Sequence, residues 1–236
     1  MKRISVYMGC ILINLQFVNA QNTIGLGSDL KGVMAAGGST QGTAITSFSN
    51  GNIKGNRYLF DNWTPGNVIS FNGEIYSGDF NFNFDKINQD IYAKYNKNDV
   101  SVLIDKSKIK RFTMSSSTFV NSGTFKNAPH DIFYQVLVED SNKVSLYSLT
   151  TTKFVKADPN DIMNARTGNT ANEYVDNKAY YLSINNSELK KVNLTENSVR
   201  KVLKEKSDKV DSYFSTNSSK DVDENFLIGL TTYLNQ

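Results

Sequence analysis

Alternation of apolar and polar residues with a period of two is the sequence feature that most constrains this fold. Residues 80–84 read Phe-Asn-Phe-Asn-Phe, which places three aromatic rings on one face of an extended chain and predicts a half-buried strand. Similar short apolar segments recur about every ten residues along the chain. We predict strands near residues 57–60, 68–71, 80–84, 91–95, 100–104, 109–114, 133–138, 144–149, 179–184 and 189–194.

The turns between these segments favour an antiparallel meander. Asn72-Gly73 and Asn185-Asn186 tolerate the positive φ angles of tight hairpins. The clearest hairpin joins residues 133–138 to 144–149, and residues 61–66 form a turn cluster before the second strand. Short turns join strands that lie beside each other, so we expect mostly antiparallel neighbours.

After residue 194 the hydrophobic period becomes helical. The apolar residues between 199 and 214 form one stripe, and a second stripe follows between 222 and 234. Ser198 is placed to cap the first helix, while Asp221, Asp223 and Glu224 suit the first turn of the second helix because negative charge favours a helix N-terminus. We predict amphipathic helices at about 198–215 and 221–234.

These patterns predict one α+β domain over residues 57–236. Its main component is an antiparallel β-sheet, curled into a sandwich or an open barrel, with the two C-terminal helices packed on it. Residues 21–56 are rich in Gly, Ser and Thr and poor in large apolar residues, so we expect a flexible leader there.

The N-terminus predicts export. Lys2 and Arg3 precede a short apolar stretch, and the chain reaches Ala20 after Val-Asn, which is the pattern of a cleavable signal peptide over residues 1–20. An uncleaved N-terminal anchor is the main alternative. Lipidation at Cys10 is disfavoured because too few apolar residues precede it. The expected location is the periplasm or the exterior, without a transmembrane segment after cleavage.

Processing would also change the chemistry of the chain. Cys10 is the only cysteine, so cleavage after Ala20 leaves neither a disulfide nor a thiol. Loss of Lys2 and Arg3 lowers the formal net charge from +3 to +1. A nearly neutral chain gives no support to nucleic-acid binding, which usually requires a concentrated basic patch.

The sequence contains few of the residues and motifs that commonly carry out catalysis. His130 is the only histidine, and we interpret it as a surface-turn residue, because the chain has no Gly-x-Ser-x-Gly motif and zinc sites need several His or Cys ligands. Residues 25–27, Gly-Leu-Gly, lack the strand and helix of a dinucleotide-binding turn. We therefore assign no catalytic, cofactor-binding or metal-binding residue and expect no cofactor.

Two loops offer weaker hypotheses. Asp158, Asn160, Asp161 and Asn164 could supply calcium ligands, but their order differs from an EF-hand, so a turn that caps its own backbone is the preferred interpretation. Trp63 is the only tryptophan. A loop tryptophan can stack on a sugar or anchor a partner, although covering the edge of the core is the more common role.

The order of segments resembles a broad group of uncharacterised exported bacterial proteins. The likeness rests on residues 57–60 (Arg-Tyr-Leu-Phe), residues 63–66 (Trp-Thr-Pro-Gly), the hairpin 133–147, and residues 180–182 (Tyr-Tyr-Leu) before two closing helices. It begins at about residue 57 and implies the β-rich fold with two C-terminal helices. The resemblance implies no activity and no site residues.

Three classes of function remain open. We favour a non-catalytic binding or structural module of the cell envelope or exterior, with an envelope protein, a glycan or an apolar ligand as its partner. A carrier of a small apolar ligand is the first alternative, and it predicts a cavity lined by Phe80, Phe82 and Phe84. A carboxylate-dependent hydrolase is the second, and it predicts two facing acidic side chains.

Overall fold

The computed structural model describes residues 53–96, 101–126, 128–129, 131–157 and 171–236. The strands are β1 (Thr64–Ser70), β2 (Ile75–Tyr76), β3 (Phe80–Asp85), β4 (Asp90–Tyr95), β5 (Ser101–Ile104), β6 (Ile109–Met114), β7 (Ser117–Asn121), β8 (Phe133–Val138), β9 (Val144–Val155), β10 (Glu173–Ile184) and β11 (Lys190–Val192). The α-helices are α1 (Glu196–Val202), α2 (Ser207–Thr216) and α3 (Glu224–Leu234), and single 3-10 turns occupy Lys106–Lys108, Ser122–Thr124 and Lys204–Lys206.

The strands form one antiparallel sheet, and the prediction of a mainly antiparallel α+β fold with C-terminal helices is confirmed. The strand order is β11-β10-β9-β8-β7-β6-β1-β3-β4-β5, with β2 beside β1. Strands β6 to β11 follow one another in sequence as a meander, and short turns join them except after β7 and β9, where 11 and 17 residues intervene. At the other end of the order, β6 pairs with β1 and β1 pairs with β3.

The sheet curls so that strands β3, β4 and β5 fold back over β6, β7 and β8 and enclose a first core. Strands β3 and β8 are separated in the sheet by three others, yet the rings of Phe84 and Phe133 lie 6.0 Å apart. Phe84 also lies 5.2 Å from Phe112 and 5.6 Å from Phe119. Strands β3 to β5 therefore pack across the same face of β6, β7 and β8. The strict alternation of residues 80–84 supplies this layer with its aromatic side chains.

The three helices cover the rest of the same sheet face and form a second core. Val144 and Leu146 of β9 and Leu182 of β10 point toward the helices. The helical stripe contributes Val199, Leu203, Val210, Phe214, Phe226, Leu227, Leu230 and Leu234, all of which are buried. Apolar burial of this kind supplies most of the stability of short helices, because each is only two to three turns long.

The opposite face of strands β6 to β11, which we call the outer face, carries a smaller aromatic cluster. Val120, Tyr134 and Tyr147 point to this face, and Phe125 packs on them from the loop that follows β7. Successive side chains of a strand point to opposite faces of the sheet, so Leu146 faces the helices while Tyr147 faces outward. In the described part of the chain, the loop after β7 packs on this side through Phe125.

The first predicted strand and the turn after it differ from the structure. Residues 57–60 are not a strand: Tyr58 makes an isolated bridge to Asp85, and the fully buried Asp85 carboxylate holds this segment through an ion pair with Arg57. The turn predicted at 61–66 ends earlier, because Thr64 and Pro65 already pair with β3. Proline fits there because it sits near the start of a strand.

Other strand bounds also differ. Strand β7 was not predicted, because its residues Ser117–Asn121 include only two large apolar side chains. Strands β9 and β10 extend as a two-stranded ribbon beyond their predicted ends, with Val155 paired to Glu173. Most residues of this extension are polar and exposed. Backbone hydrogen bonds between β9 and β10, rather than burial of side chains, therefore hold the ribbon together.

The first predicted helix, 198–215, is two helices separated by a 3-10 turn. The N-cap of helix α1 is Thr195, three residues before the predicted cap, Ser198. The Thr195 side chain accepts from the Ser198 backbone amide, while the Ser198 hydroxyl accepts from the Asn193 amide at 2.9 Å. This pattern differs from a capping box in that the Ser198 hydroxyl accepts from Asn193, two residues before the N-cap, instead of from the N-cap amide. The second predicted helix is confirmed as α3, which begins after Asp223.

Several predictions fall on residues outside the described part of the chain. These are the signal peptide 1–20, nearly all of the leader 21–56, His130, and the calcium-loop candidates Asp158, Asn160, Asp161 and Asn164. Within the described ranges, no helix has both the length and the apolar character that a membrane crossing requires.

Candidate functional site

The outer face contains a pocket with a volume of about 310 Å³. Its base is apolar: Val120, Phe125 and Tyr147 are each at most 7% exposed, and Ile69 lies beside them. We call these four residues the pocket floor. The remaining lining residues are polar, and we call them the pocket rim: Lys110, Arg111, Thr124, Glu139 and Asn186.

A β-bulge brings two consecutive basic residues to this pocket. On β1, Ile69 pairs with Arg111 and the next residue, Ser70, pairs with Ile109. Lys110 is therefore an extra residue in β6 without a partner on β1. Neighbouring side chains in a regular strand point to opposite faces, whereas a bulge redirects one of them. As a result, both Lys110 and Arg111 line the pocket.

A second bulge, in β8, aims an acidic residue at the same pocket. Val136 pairs with Tyr147 and Val138 pairs with Leu146, so Leu137 is the extra residue. In a regular strand Glu139 would lie on the same face as Leu137, toward the helices. The bulge reverses this parity, and Glu139 lines the pocket and forms an ion pair with Arg111.

The loop that carries Phe125 is held by buried polar groups. The Asn121 side chain accepts from the Gly123 amide at 2.8 Å and donates to the Lys106 carbonyl at 3.1 Å. The Ser122 amide donates to the Ile132 carbonyl at 2.7 Å, which closes the base of the loop. These bonds satisfy backbone groups that would otherwise be buried without partners. They fix Phe125 over the outer face of the sheet.

The aromatic side chains near the floor form a connected cluster. The ring of Phe125 lies 5.1 Å from Tyr147 and 6.3 Å from Tyr134, both in edge-to-face geometry. Tyr134 in turn lies 5.1 Å from Tyr181. Burial raises the pKa of Tyr134 to about 12, and burial also raises the pKa of Tyr147. Both phenols are thus neutral at physiological pH.

The last rim residue comes from a tight turn. Asn185 and Asn186 have φ angles of +52° and +50°, the left-handed conformation that asparagine tolerates better than most residues. The Asn185 amide donates to the Lys143 carbonyl at 2.7 Å, which ties this turn to the hairpin between β8 and β9. The turn places the exposed Asn186 at the pocket.

An apolar floor with a charged rim suits an amphipathic small molecule. Small-molecule sites typically combine apolar walls with a few polar groups that orient the ligand, and their volumes begin at ~300 Å³. Among the described lining residues Glu139 is the one carboxylate, and it is paired with Arg111. The described part of the lining therefore does not present the two facing carboxyl groups that a glycosidase-type hydrolase uses.

The residues singled out by the sequence lie elsewhere. Phe80, Phe82 and Phe84 are at most 2% exposed and fill the first core, so they do not line the pocket. Trp63 is partly buried and directly precedes β1. Asp223 caps helix α3 and Glu224 lies in its first turn. Among the described residues, no group of three or more His, Cys, Asp or Glu side chains is arranged to hold a metal ion.

One sequence signal could have located part of the pocket. Ile109 and Phe112 are both fully buried in the first core, but their spacing of three residues does not fit a regular strand, in which side chains on one face are two apart. Such odd spacing indicates a bulge at the two basic residues between them. The bulge in β8 has no comparable signal, because residues 136–138 read Val-Leu-Val.

Comparison with known proteins adds no family or function: no family model, no curated protein and no solved structure matches this chain.

Proposed function

We propose that this protein is an exported, non-catalytic binding module that holds a small molecule in the outer-face pocket. One observation carries the proposal. Two β-bulges, one in β6 and one in β8, turn Lys110 and Glu139 toward the same pocket. Bulges interrupt backbone pairing and are frequent next to functional sites. Two of them aimed at one apolar floor favour recognition of a ligand over a purely structural role.

The lining residues support binding rather than catalysis. The described lining residues include no histidine, cysteine or serine, and their single threonine, Thr124, donates its hydroxyl to the Asn121 carbonyl at 2.8 Å. The Glu139 carboxylate is engaged by Arg111. Nucleophilic catalysis needs an activated nucleophile beside a base, and the lining residues that the structure describes offer no such pair.

Support for export comes from the N-terminal sequence. Lys2 and Arg3, the apolar stretch after them and the Val-Asn-Ala ending at residue 20 fit a signal peptide. Native mass spectrometry of the protein purified from its own host checks this part of the proposal. We expect a mass that begins at Gln21, and an intact Met1 would contradict it. A co-purified small molecule in the same spectrum would identify the ligand directly.

An unbiased fragment screen tests the pocket. We expect some fragments from a library of mixed charge to shift the amide resonances of Arg111, Val120, Phe125 and Tyr147 in the isotopically labelled full chain. The variant Val120→Phe fills the floor and should abolish these shifts. Overpacking of this kind costs about 1–3 kcal/mol, so urea unfolding must first show that the variant is folded.

The matched control places the same substitution outside the pocket. Val175 lies on the exposed ribbon and is 41% exposed, so Val175→Phe should leave fragment binding unchanged. If no fragment in the library shifts the pocket resonances, or if Val120→Phe retains every shift, the proposal that this pocket binds a small molecule is wrong.

A further inference from the structure

We infer that the ligand of this pocket is a small organic anion, with a compact apolar body that contacts the floor and one acidic group at the rim beside Lys110. The inference rests on the proposed binding function and adds the chemical class of the ligand. It depends on the charge of the rim and on the size and character of the floor.

The rim carries one positive charge that forms no ion pair with an acidic side chain in the described part of the chain. Lys110, Arg111 and Glu139 are its charged members, and Arg111 pairs with Glu139. Among the ion pairs of the described residues, none includes Lys110. Lys110 is exposed, and the bulge in β6 turns it toward the pocket. An anionic group at the rim would gain its attraction without breaking an existing pair.

Ligands of the other charge classes fit less well. A cation would need Glu139 as its partner and would have to displace the Arg111 guanidinium while lying near Lys110. Like charges in close contact repel, and such juxtapositions reject wrong partners. A neutral polar ligand meets no repulsion, but it gains nothing from Lys110. We therefore expect the affinity of the pocket to be highest for anionic ligands, lower for neutral ligands and lowest for cationic ligands.

The floor sets the size and character of the rest of the ligand. The pocket volume of about 310 Å³ corresponds to roughly ten water molecules at ~30 Å³ each. Phe125 and Tyr147 offer aromatic surface, while Ile69 and Val120 offer aliphatic surface. A single six-membered ring or a short branched chain would fill this space, whereas a long acyl chain would not. Benzoate is a suitable probe of this class.

The test compares three probes that share one ring and differ in charge: benzoate, benzamide and benzylammonium. Each is titrated into the labelled full chain, and the dissociation constant is taken from the shifts of the pocket resonances. We expect benzoate to bind most tightly, roughly fivefold more tightly than benzamide, which is the range of a partly exposed ion pair. Benzylammonium should bind least tightly, and added salt should reduce the preference for benzoate.

Two matched variants assign the preference to one side chain. Lys110→Gln should bring the affinities for benzoate and benzamide close to each other. Lys209→Gln removes an exposed lysine of helix α2, which is not part of the lining, and should retain the full preference. Both changes are at exposed positions, so both variants should fold normally.

Equal binding of benzamide and benzoate, tighter binding of benzylammonium, or a preference that survives in Lys110→Gln would each overturn the anion inference. If all three probes fail while neutral or cationic library fragments still occupy the pocket, the inference is wrong and the binding function stands. If no fragment of any charge occupies the pocket, both are wrong.

Discussion

The Arg111 guanidinium of β6 donates to the carboxylate of Glu139, the residue directly after β8, even though strand β7 lies between β6 and β8. Arg111 directly follows the unpaired bulge residue Lys110 of β6, and Glu139 lies two residues after the unpaired bulge residue Leu137 of β8. The contact thus spans the outer face, and it depends on two local departures from regular strand geometry.

We expect the Arg111–Glu139 pair to contribute little to stability. The two side chains are 31% and 44% exposed, and water and salt screen such pairs. A double-mutant cycle with Arg111→Gln and Glu139→Gln should give a coupling free energy of about 0.5 kcal/mol, measured by urea unfolding at low salt. Repeating the cycle at high salt should reduce the coupling further. A coupling above ~2 kcal/mol would mean that the pair is a structural element instead of part of an open rim.

Phe84 should be far more important for folding than an exposed phenylalanine. It is 2% exposed and contacts three other rings, so Phe84→Ala should lower the free energy of unfolding by about 3–5 kcal/mol through lost burial and a residual cavity. Phe71 is 46% exposed, and Phe71→Ala is the matched control, with an expected loss below about 1 kcal/mol. Similar losses in the two variants, measured by urea unfolding, would contradict the placement of the first core.

The architecture was accessible from sequence where patterns are regular. The period of two at residues 80–84 and the helical stripe after Val199 each correspond to a buried face in the structure. Polar strands were not accessible, because β7 and the outer halves of β9 and β10 have few apolar residues. Their extended conformation depends on pairing with neighbours distant in sequence, and local patterns do not encode that pairing.

The candidate site was harder to predict than the fold. Its rim is formed by bulges and a left-handed turn, which bring together Lys110, Glu139 and Asn186 from three separate parts of the chain. Of these, only the region around Lys110 leaves a trace in the sequence, through the spacing of Ile109 and Phe112. Side chains along a strand point alternately to the two faces of the sheet. One extra residue, Leu137, therefore moves Glu139 from one face to the other.

The acidic residues before helix α3 should have unequal effects on stability. Asp223 is the N-cap, and its side chain accepts from the Phe226 amide at 2.8 Å. Asp223→Ala should therefore lower the free energy of unfolding by about 1 kcal/mol. Asp221 is exposed and lies before the cap, so Asp221→Ala should change stability by less than ~0.5 kcal/mol. Chemical denaturation of both variants distinguishes a specific cap from a general effect of negative charge, which would give equal losses.

Ionisation of the Tyr134 phenol should lower the stability of the protein at alkaline pH. Its side chain is 3% exposed, and burial raises its pKa from 10.0 to about 12. The folded state therefore holds the phenolic proton more tightly than the unfolded state. The contribution to stability is fully present below pH ~10 and is lost as the pH rises toward 12. Over this window the loss attributable to Tyr134 should be about 2–3 kcal/mol.

The variant Tyr134→Phe isolates this contribution, because it keeps the ring in the aromatic cluster and removes only the ionisable hydroxyl. Other tyrosines with a pKa near 12, such as Tyr92 and Tyr180, titrate in both proteins and cancel in the comparison. Urea unfolding should show a constant difference between variant and native protein from pH 7 to 9, and the variant should then gain relative stability above pH 10. A difference that stays constant up to pH 12 would show that the Tyr134 phenol is accessible to water, and the cluster beside the pocket floor would then be more open than the structure indicates.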